Sequence, residues 1–242
     1  MERSITPEVG KSAISRIIYR RLCRRWTAYQ ELTPAHTLHW FPFRRTNAIL
    51  FFIRGPMETE VTKKLFTVDE YHRMAEAGIF HPEARLELIE GEIIEMSPPG
   101  IRHIACVNRA NAVFTSRLAG KAMVSVQNPL ILSRYTEPQP DIVLAKPRAD
   151  FYAEKWLSSE DTFLAIEVSD STISYDRNRK MSLYARARVR ELWIENLREG
   201  VILVFRDPRG NGYKTCLTFQ RGQSFSPSAF PEVTFTVEEL LG

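Results

Sequence analysis

Two apolar, strand-forming stretches that each contain one acid decide the fold: Pro140-Asp141-Ile142-Val143-Leu144 and Phe163-Leu164-Ala165-Ile166-Glu167-Val168-Ser169. A strand buried on both faces should read as a continuous run of Val, Ile and Leu. A carboxylate in such a run is costly unless a metal ion, a cation or hydrogen bonds compensate its charge. Pro140 cannot donate a hydrogen bond to a sheet, so it favours a strand start and places Asp141 near a strand end. Because a helix carrying a lysine follows the two strands, we interpret the pattern as a metal site.

If the two strands are neighbours, Asp141 and Glu167 can share one cation. Magnesium takes one or two carboxylates together with water and substrate phosphates, so this pair suffices. Asp176, Lys180 and Tyr184 then follow at four-residue intervals on one face of the next predicted helix. Simpler interpretations remain open: each acid can be a strand-end residue facing water or an arginine, and Asp176 with Lys180 can be a surface ion pair worth about 0.2–0.5 kcal/mol.

The remaining chain predicts an α+β fold, a mixed β-sheet flanked by helices. Thr67 with Glu70 forms a capping-box pattern that starts a helix ending near Ala77. Residues 85–96 alternate apolar and acidic residues on both sides of Glu90-Gly91, which predicts a tight hairpin. Further helices are predicted over Ile104–Leu118, Tyr175–Ala187 and Phe235–Leu241. Further strands are predicted over Met123–Gln127, Pro129–Ser133, Phe163–Val168, Glu191–Glu195, Val201–Arg206 and Tyr213–Phe219.

Two more residues are candidates for the same site, each with a simpler interpretation beside it. Glu87 lies in the hairpin among alternating acids, a position typical of a solvated face. His103 stands alone at a helix start, where a capping or packing role is the simpler one. The motifs of other common catalytic sites are absent from the sequence. It has no Gly-rich phosphate loop, no GxSxG elbow, no HExxH motif and no His–Cys ligand cluster.

Charge divides the chain into residues 1–56 and 57–242. Residues 1–56 hold ten Lys or Arg against three Glu, whereas the remainder has a net charge of −3. We interpret 1–56 as a basic, poorly ordered extension or a mis-called start, because Met57 would make a normal start. A basic segment with aromatics can also contact nucleic acid or an anionic membrane. Its apolar run is far shorter than the roughly 20 residues of a membrane span.

The three cysteines lie far apart in sequence and form no CxxC pair. They support neither a disulfide framework nor a zinc site, so a reducing, cytoplasmic location is the simplest expectation. The sequence also lacks the apolar core and the small-residue cleavage site of a secretory signal.

The joint order of several short motifs resembles the Uma2 family (DUF820), a branch of the PD-(D/E)xK restriction-endonuclease-like superfamily. The resemblance covers about residues 66–241. Its motifs are Glu87-Leu88-Ile89-Glu90-Gly91-Glu92, Met96-Ser97-Pro98-Pro99 with His103, Pro140-Asp141, Ile166-Glu167-Val168-Ser169, Asp176 with Lys180 and Tyr184, and Glu191-Leu192-Trp193-Ile194. Residues 1–56 match nothing in the family.

The resemblance implies a restriction-endonuclease-like core with a divalent-metal site that cuts phosphodiester bonds. Asp141, Glu167 and Glu87 would be metal ligands, and Lys180 would be the catalytic lysine. The usual lysine position, two residues after the glutamate, here holds Ser169, a displacement known in this branch.

The implied cofactor is Mg²⁺ or Mn²⁺, and the implied partner is nucleic acid, with DNA first. Arg177, Arg179 and His103 are candidate DNA contacts, and a homodimer is compatible with the resemblance. The predicted function is therefore metal-dependent endonuclease cleavage of DNA. The competing hypothesis is a catalytically inactive nuclease fold that serves as a nucleic-acid- or partner-binding module, which the acidic body favours because a DNA enzyme needs a basic track.

Overall fold

A mixed six-stranded β-sheet lies at the centre of the protein. The computed structural model describes residues 62–170 and 176–242. The expectations for residues 1–56 and for a start at Met57 therefore lie outside the described residues.

Sixteen short elements make up the described part of the chain. The helices are α1 (Val68–Glu76), α2 (Ile101–Arg117), α3 (Met181–Arg186) and α4 (Val237–Leu241), with a 3-10 turn at Ser159–Asp161 and a π-helical turn at Asp176–Lys180. The strands are β1 (Leu86–Ile89), β2 (Glu92–Glu95), β3 (Met123–Val126), β4 (Ile142–Ala145), β5 (Thr162–Ser169), β6 (Glu191–Asn196), β7 (Val201–Arg209), β8 (Gly212–Phe219), β9 (Ser224–Phe225) and β10 (Phe235–Thr236). Over the described ranges, no helix has both the length and the apolar character needed to cross a membrane.

The main sheet has the strand order β3-β4-β5-β6-β7-β8. Strand β4 runs antiparallel to β5, with Ile142 opposite Ile166. Strands β5 and β6 are parallel, so the chain crosses over between them through the π-helical turn and α3. This order confirms the expectation that the two acid-bearing strands are neighbours.

Alternate residues of the central strands pack into two different apolar layers. Ile142 and Ile166 belong to the layer that contains residues of α2 and α4. Val143 and Ala165 belong to the layer that contains Leu183 of α3. Strands β4 and β6 are buried along their whole lengths. Covered on both faces, these strands have the near-continuous apolar sequences expected of buried strands.

The predictions for α1 and the first hairpin are confirmed. Thr67 and Glu70 form both hydrogen bonds of a capping box at the start of α1. Strands β1 and β2 pair around Glu90 and Gly91, which both have positive φ, as the tightest hairpin turns require. Gly91 is also required sterically, because a Cβ there would lie 2.6 Å from the Cβ of Leu65.

One predicted strand is absent, and two predicted helices are present with a different start or a different helical form. Residues 129–133 form no strand, because their N–H groups bond to the carbonyls of residues 138, 157 and 136 in turn instead of to one neighbour. Helix α2 begins at Ile101 and not at Ile104, since Gly100 takes an extended N-cap conformation. The helix predicted over Tyr175–Ala187 is not one regular α-helix, because the turn at Asp176–Lys180, directly before α3, is π-helical.

Candidate active site

A cavity of about 430 Å³ brings four of the predicted site residues together: Glu87, Asp141, Glu167 and Lys180. Glu87 lies on β1, Asp141 directly precedes β4, Glu167 lies on β5, and Lys180 ends the π-helical turn. All four are buried, with at most 6% of their surface exposed. The interpretations of Glu87 as a solvated face residue and of Lys180 as a surface residue are therefore wrong.

The Lys180 ammonium lies between two carboxylates. Its Nζ donates to Glu87 Oε1 at 3.0 Å and lies 3.3 Å from Glu167 Oε1 and 3.4 Å from Glu167 Oε2. The lysine reaches this point from the π-helical turn, a wide turn that recurs at functional sites. One buried cation is thus shared by two buried acids, which leaves the trio with one formal negative charge.

Hydrogen bonds orient the Glu167 and Glu87 carboxylates. The buried Tyr184 hydroxyl, one turn after Lys180, donates to Glu167 Oε1 at 2.5 Å. Glu87 Oε1 also accepts the backbone N–H of Gln139 at 2.9 Å. Its second oxygen, Oε2, is buried and has no hydrogen-bond partner among the residues that the structure describes.

Asp141 is held by three donors. Its Oδ2 accepts the Val168 N–H at 2.9 Å and lies 3.1 Å from His103 Nε2, while its Oδ1 accepts from Gln127 Nε2 at 3.1 Å. Burial by itself would raise the pKa of Asp141, but the hydrogen bond and charge of His103, helped by Val168 and Gln127, outweigh it and lower the pKa. Asp141 is therefore held as a carboxylate, the form that binds a cation.

The donor atoms in the cavity fit a hard divalent cation. Carboxylate oxygens are the ligands that Mg²⁺ and Mn²⁺ prefer, and Glu87 Oε2 is a buried oxygen that has no donor in the part of the chain that the structure describes. Within the described ranges, no three His, Cys, Asp or Glu side chains are grouped closely enough to form a metal site by themselves. An ion here would thus complete its coordination with water and substrate oxygens, as magnesium commonly does.

The predicted DNA contacts have different placements. His103 lines the cavity and lies against Asp141. Arg179 lies at the hairpin instead, with its Nη2 3.9 Å from Glu90 Oε2 and 3.7 Å from Glu92 Oε2. The Arg177 side chain is outside the described part of the chain, so its role stays a prediction.

A larger cavity, about 640 Å³, lies beside β3 and is lined by Phe151, Tyr152 and Trp156. No carboxylate lines it within the described residues, so it lacks the charged ligands found in the first cavity. The smaller cavity is therefore the candidate site, because it is the one with buried acids on its walls.

Comparison with protein families agrees with this geometry. The family model Uma2, described as "Putative restriction endonuclease", matches residues 68–238. The chain belongs to the Uma2 family. The match spans Glu87, Asp141, Glu167 and Lys180.

One solved structure shares the Uma2 fold of this chain. It is described as "a putative nuclease belonging to DUF820 from Anabaena variabilis", with a TM-score of 0.57 and 19% sequence identity. The alignment covers 73% of this chain and 97% of that one. At this identity the likeness establishes the fold alone. No curated protein matches the chain in sequence.

Sequence reasoning missed a further buried acid near this site, Glu195. Glu195 on β6 is fully buried, and its Oε2 accepts from Cys106 Sγ at 3.0 Å. Burial raises the pKa of Glu195 to about 7, with a further rise from nearby Asp141 and partial offsets from Cys106 and Arg109. The signal was present, because Leu192-Trp193-Ile194-Glu195 is again an acid in an apolar strand.

Tyr184 and Arg102 were also assigned no role. Tyr184 could have been found from its four-residue spacing to Lys180, which places both on one helix face. Arg102, in the first turn of α2, donates to the Leu197 carbonyl at 2.7 Å beside the cavity mouth. No sequence signal marks Arg102, because its position depends on where α2 starts.

Proposed function

We propose that this Uma2 protein is a metal-dependent endonuclease that hydrolyses phosphodiester bonds of DNA. The single observation that supports it best is the convergence of Glu87, Asp141, Glu167 and Lys180 on one cavity. Acids buried this deeply are costly unless they serve a cation or a reaction. A nuclease site needs the same set, namely carboxylates for a divalent ion and a lysine for the phosphate.

In this proposal Asp141 and Glu167 hold a Mg²⁺ or Mn²⁺ ion, with Glu87 beside them. When bound, such an ion supplies Lewis-acid stabilisation of the phosphate and lowers the pKa of water. His103 and Tyr184 hold the two carboxylates in place through their hydrogen bonds. Lys180 orients the attacking water or stabilises developing negative charge as a compact point charge.

The test is cleavage of supercoiled plasmid and single-stranded DNA by purified protein with Mg²⁺ or Mn²⁺. Asp141→Asn keeps the shape of the side chain but removes its charge, and should lower the cleavage rate at least about 100-fold. Asp150→Ala is the matched control, since Asp150 pairs with Arg148 on the surface and does not line the cavity.

Equal rates for wild type and Asp141→Asn in both metals would overturn the enzyme proposal. Cleavage that persists in the presence of a chelator would contradict the metal dependence in the proposal. Loss of activity in Asp150→Ala as well would mean that the assay reports folding and not chemistry.

A second candidate function is a binding module on a catalytically inactive nuclease fold. The observation that favours it is that Lys180 partly neutralises Glu87 and Glu167 while three donors engage Asp141. Titration calorimetry with Mn²⁺ separates the two functions. The enzyme proposal expects heat that Asp141→Asn and Glu167→Gln remove, whereas the module expects none.

The proposal also includes a cellular location, a binding partner and an assembly. We propose a cytoplasmic protein that acts on nucleic acid, and a homodimer as the assembly to be tested by light scattering. These parts rest on the cysteine pattern and on the family, and they can fail without affecting the site.

A further inference from the structure

The N-terminus of helix α2 opens onto the site cavity. Gly100 is its N-cap, with φ −75° and ψ 164°, and both Gly100 and His103 line the cavity. Among the described residues no side chain caps this end. The first N–H groups of a helix have no partner within it and carry about half a positive charge.

The side chains of the first turn add to this positive character. It contains no acid, and it does contain Arg102. The Arg102 guanidinium donates to Leu197 O at 2.7 Å and lies 3.5 Å from Asp170 Oδ1. Because the Arg102 side chain is 66% exposed, it can contact a ligand at the cavity mouth as well.

An independent observation in the same cavity points to a ligand. Glu87 is 2% exposed, and its Oε2 has no hydrogen-bond partner within the described residues. A buried acceptor without a donor is costly unless a ligand completes it. The cavity thus has an unsatisfied acceptor on one wall and an uncapped helix N-terminus on another. This pairing is complementary to a cation that is bound together with an anion.

Glycine is an ordinary N-cap residue, but it ranks below Ser, Asp and Asn and brings no side-chain oxygen to the helix end. Backbone geometry does not require it, because φ −75° is open to every residue. Packing does not require it either, because a Cβ on Gly100 would meet nothing within 4 Å. What glycine does provide is a helix end with no side chain between its N–H groups and the cavity.

We propose that the N-terminus of α2, with Gly100 as its open cap and Arg102 beside it, binds a backbone phosphate of nucleic acid in the site cavity. The proposal rests on the proposed function and adds the part of the protein that holds the substrate. It also gives a body with a net charge of −3 a local point of contact for a polyanion, because the helix N-terminus and Arg102 place positive charge beside a cavity whose walls also hold acids.

Gly100→Asp and Gly100→Asn form a matched pair that tests this proposal. Both side chains can cap α2, so both variants should melt at or slightly above the wild-type temperature. They differ by one negative charge at the phosphate. Binding of a fluorescein-labelled DNA duplex and of its single strand is followed by anisotropy in Ca²⁺. Gly100→Asp should bind about tenfold more weakly than Gly100→Asn.

Arg102→Gln provides the second measurement, the salt dependence of binding. Losing one phosphate contact should reduce the slope of log affinity against log salt by about 1. Arg117→Gln is the charge-matched control, because Arg117 ends the same helix about 22 Å away at 1.5 Å per residue. It should leave the slope unchanged.

The outcomes separate this inference from the proposed function. Wild-type binding by Gly100→Asp, or no wild-type binding of either DNA probe, overturns the inference. Metal-dependent cleavage with unaffected binding in Gly100→Asp leaves the endonuclease proposal standing alone. Weakened binding in Gly100→Asp together with no cleavage by wild type supports the phosphate site and overturns the endonuclease.

Discussion

Two buried clusters on the central sheet each combine an acid with a cation, yet their hydrogen bonding differs. In the first, Glu191 on β6 accepts from Trp193 Nε1 at 2.8 Å, Arg206 Nε at 2.9 Å and the Ser228 N–H at 2.6 Å. Both of its oxygens have partners, and the nearest side chains fill the space around it. Glu191 therefore ties β6, β7 and the following loop together.

In the second cluster, Glu87 and Glu167 share Lys180 beside an open cavity. Here Glu87 Oε2 lacks a donor within the described residues. The two glutamates are buried to a similar extent, at 1% for Glu191 and 2% for Glu87. Burial of an acid therefore does not identify a functional site. Incomplete hydrogen bonding next to a cavity is the better marker of a candidate site, because a ligand there can lower the free energy further.

The largest expected effect comes from Glu191→Gln. Its amide would face donors from Trp193, Arg206 and Ser228 with one acceptor fewer. Removing one partner of a buried pair costs about 3–5 kcal/mol, and we expect about 3 kcal/mol because the Arg206 side chain is partly exposed. Chemical denaturation measures this loss in the free energy of unfolding.

Glu87→Gln is the matched variant from the other cluster. It removes an incompletely bonded charge, so the free energy of unfolding should change by less than about 1 kcal/mol. Cleavage should fall about 100-fold, because an acid beside the ion is lost. Equal stability losses in the two variants would erase the distinction between the clusters.

The apolar residues around Asp141 and Glu167 predict that both acids lie in buried strands. The pairing of those strands was only a condition of the predicted metal site, and the structure meets it. The burial of Glu87 could not be predicted in this way. Apolar and acidic residues alternate along the hairpin, but this alternation does not show which face packs against the rest of the chain. That face is chosen by Leu88, whose backbone exchanges hydrogen bonds with Glu137, and by a lysine 93 residues away. Such contacts depend on tertiary packing and leave no local pattern.

Glu195 is another buried acid, and it shares one feature with each of the two clusters. Its Oε1 lacks a partner among the described residues, as in the site, but Cys106 and apolar neighbours surround it, as at Glu191. Burial raises its pKa from 4.5 to about 7, with the other influences described above. An acid that is unsatisfied and enclosed has no ligand to stabilise its charge, so it should reduce stability when it ionises.

The next prediction concerns Glu195 and pH. Because its folded pKa lies above its unfolded pKa, the folded state holds the proton more tightly. The penalty is absent below pH 4.5, grows as the pH rises to about 7, and is complete above it. At about 1.4 kcal/mol per pKa unit this amounts to roughly 3 kcal/mol. Melting temperatures of Glu195→Gln should therefore exceed those of wild type at pH 8 and equal them at pH 4.5.

Glu199→Gln is the control for this pH series, since Glu199 is an exposed acid in the turn after β6. Its melting curve should follow wild type at every pH. A Glu195→Gln curve that also follows wild type would mean that Glu195 is stabilised by contacts beyond Cys106.

The smallest expected effect is that of Tyr184→Phe, which removes a hydrogen bond within the candidate site. Tyr184→Phe removes the hydroxyl that donates to Glu167 Oε1 at 2.5 Å, which should cost about 1 kcal/mol of stability. Tyr213→Phe is the matched variant, because its hydroxyl donates to the Val189 carbonyl at 2.9 Å and touches no site residue. Calorimetry should show about tenfold weaker Mn²⁺ binding for Tyr184→Phe, as expected when a hydrogen bond that orients a ligand is lost, and no change for Tyr213→Phe. If both variants bind Mn²⁺ like wild type, Tyr184 only packs the helix against the sheet, and its bond to Glu167 belongs with the satisfied, structural contacts of Glu191.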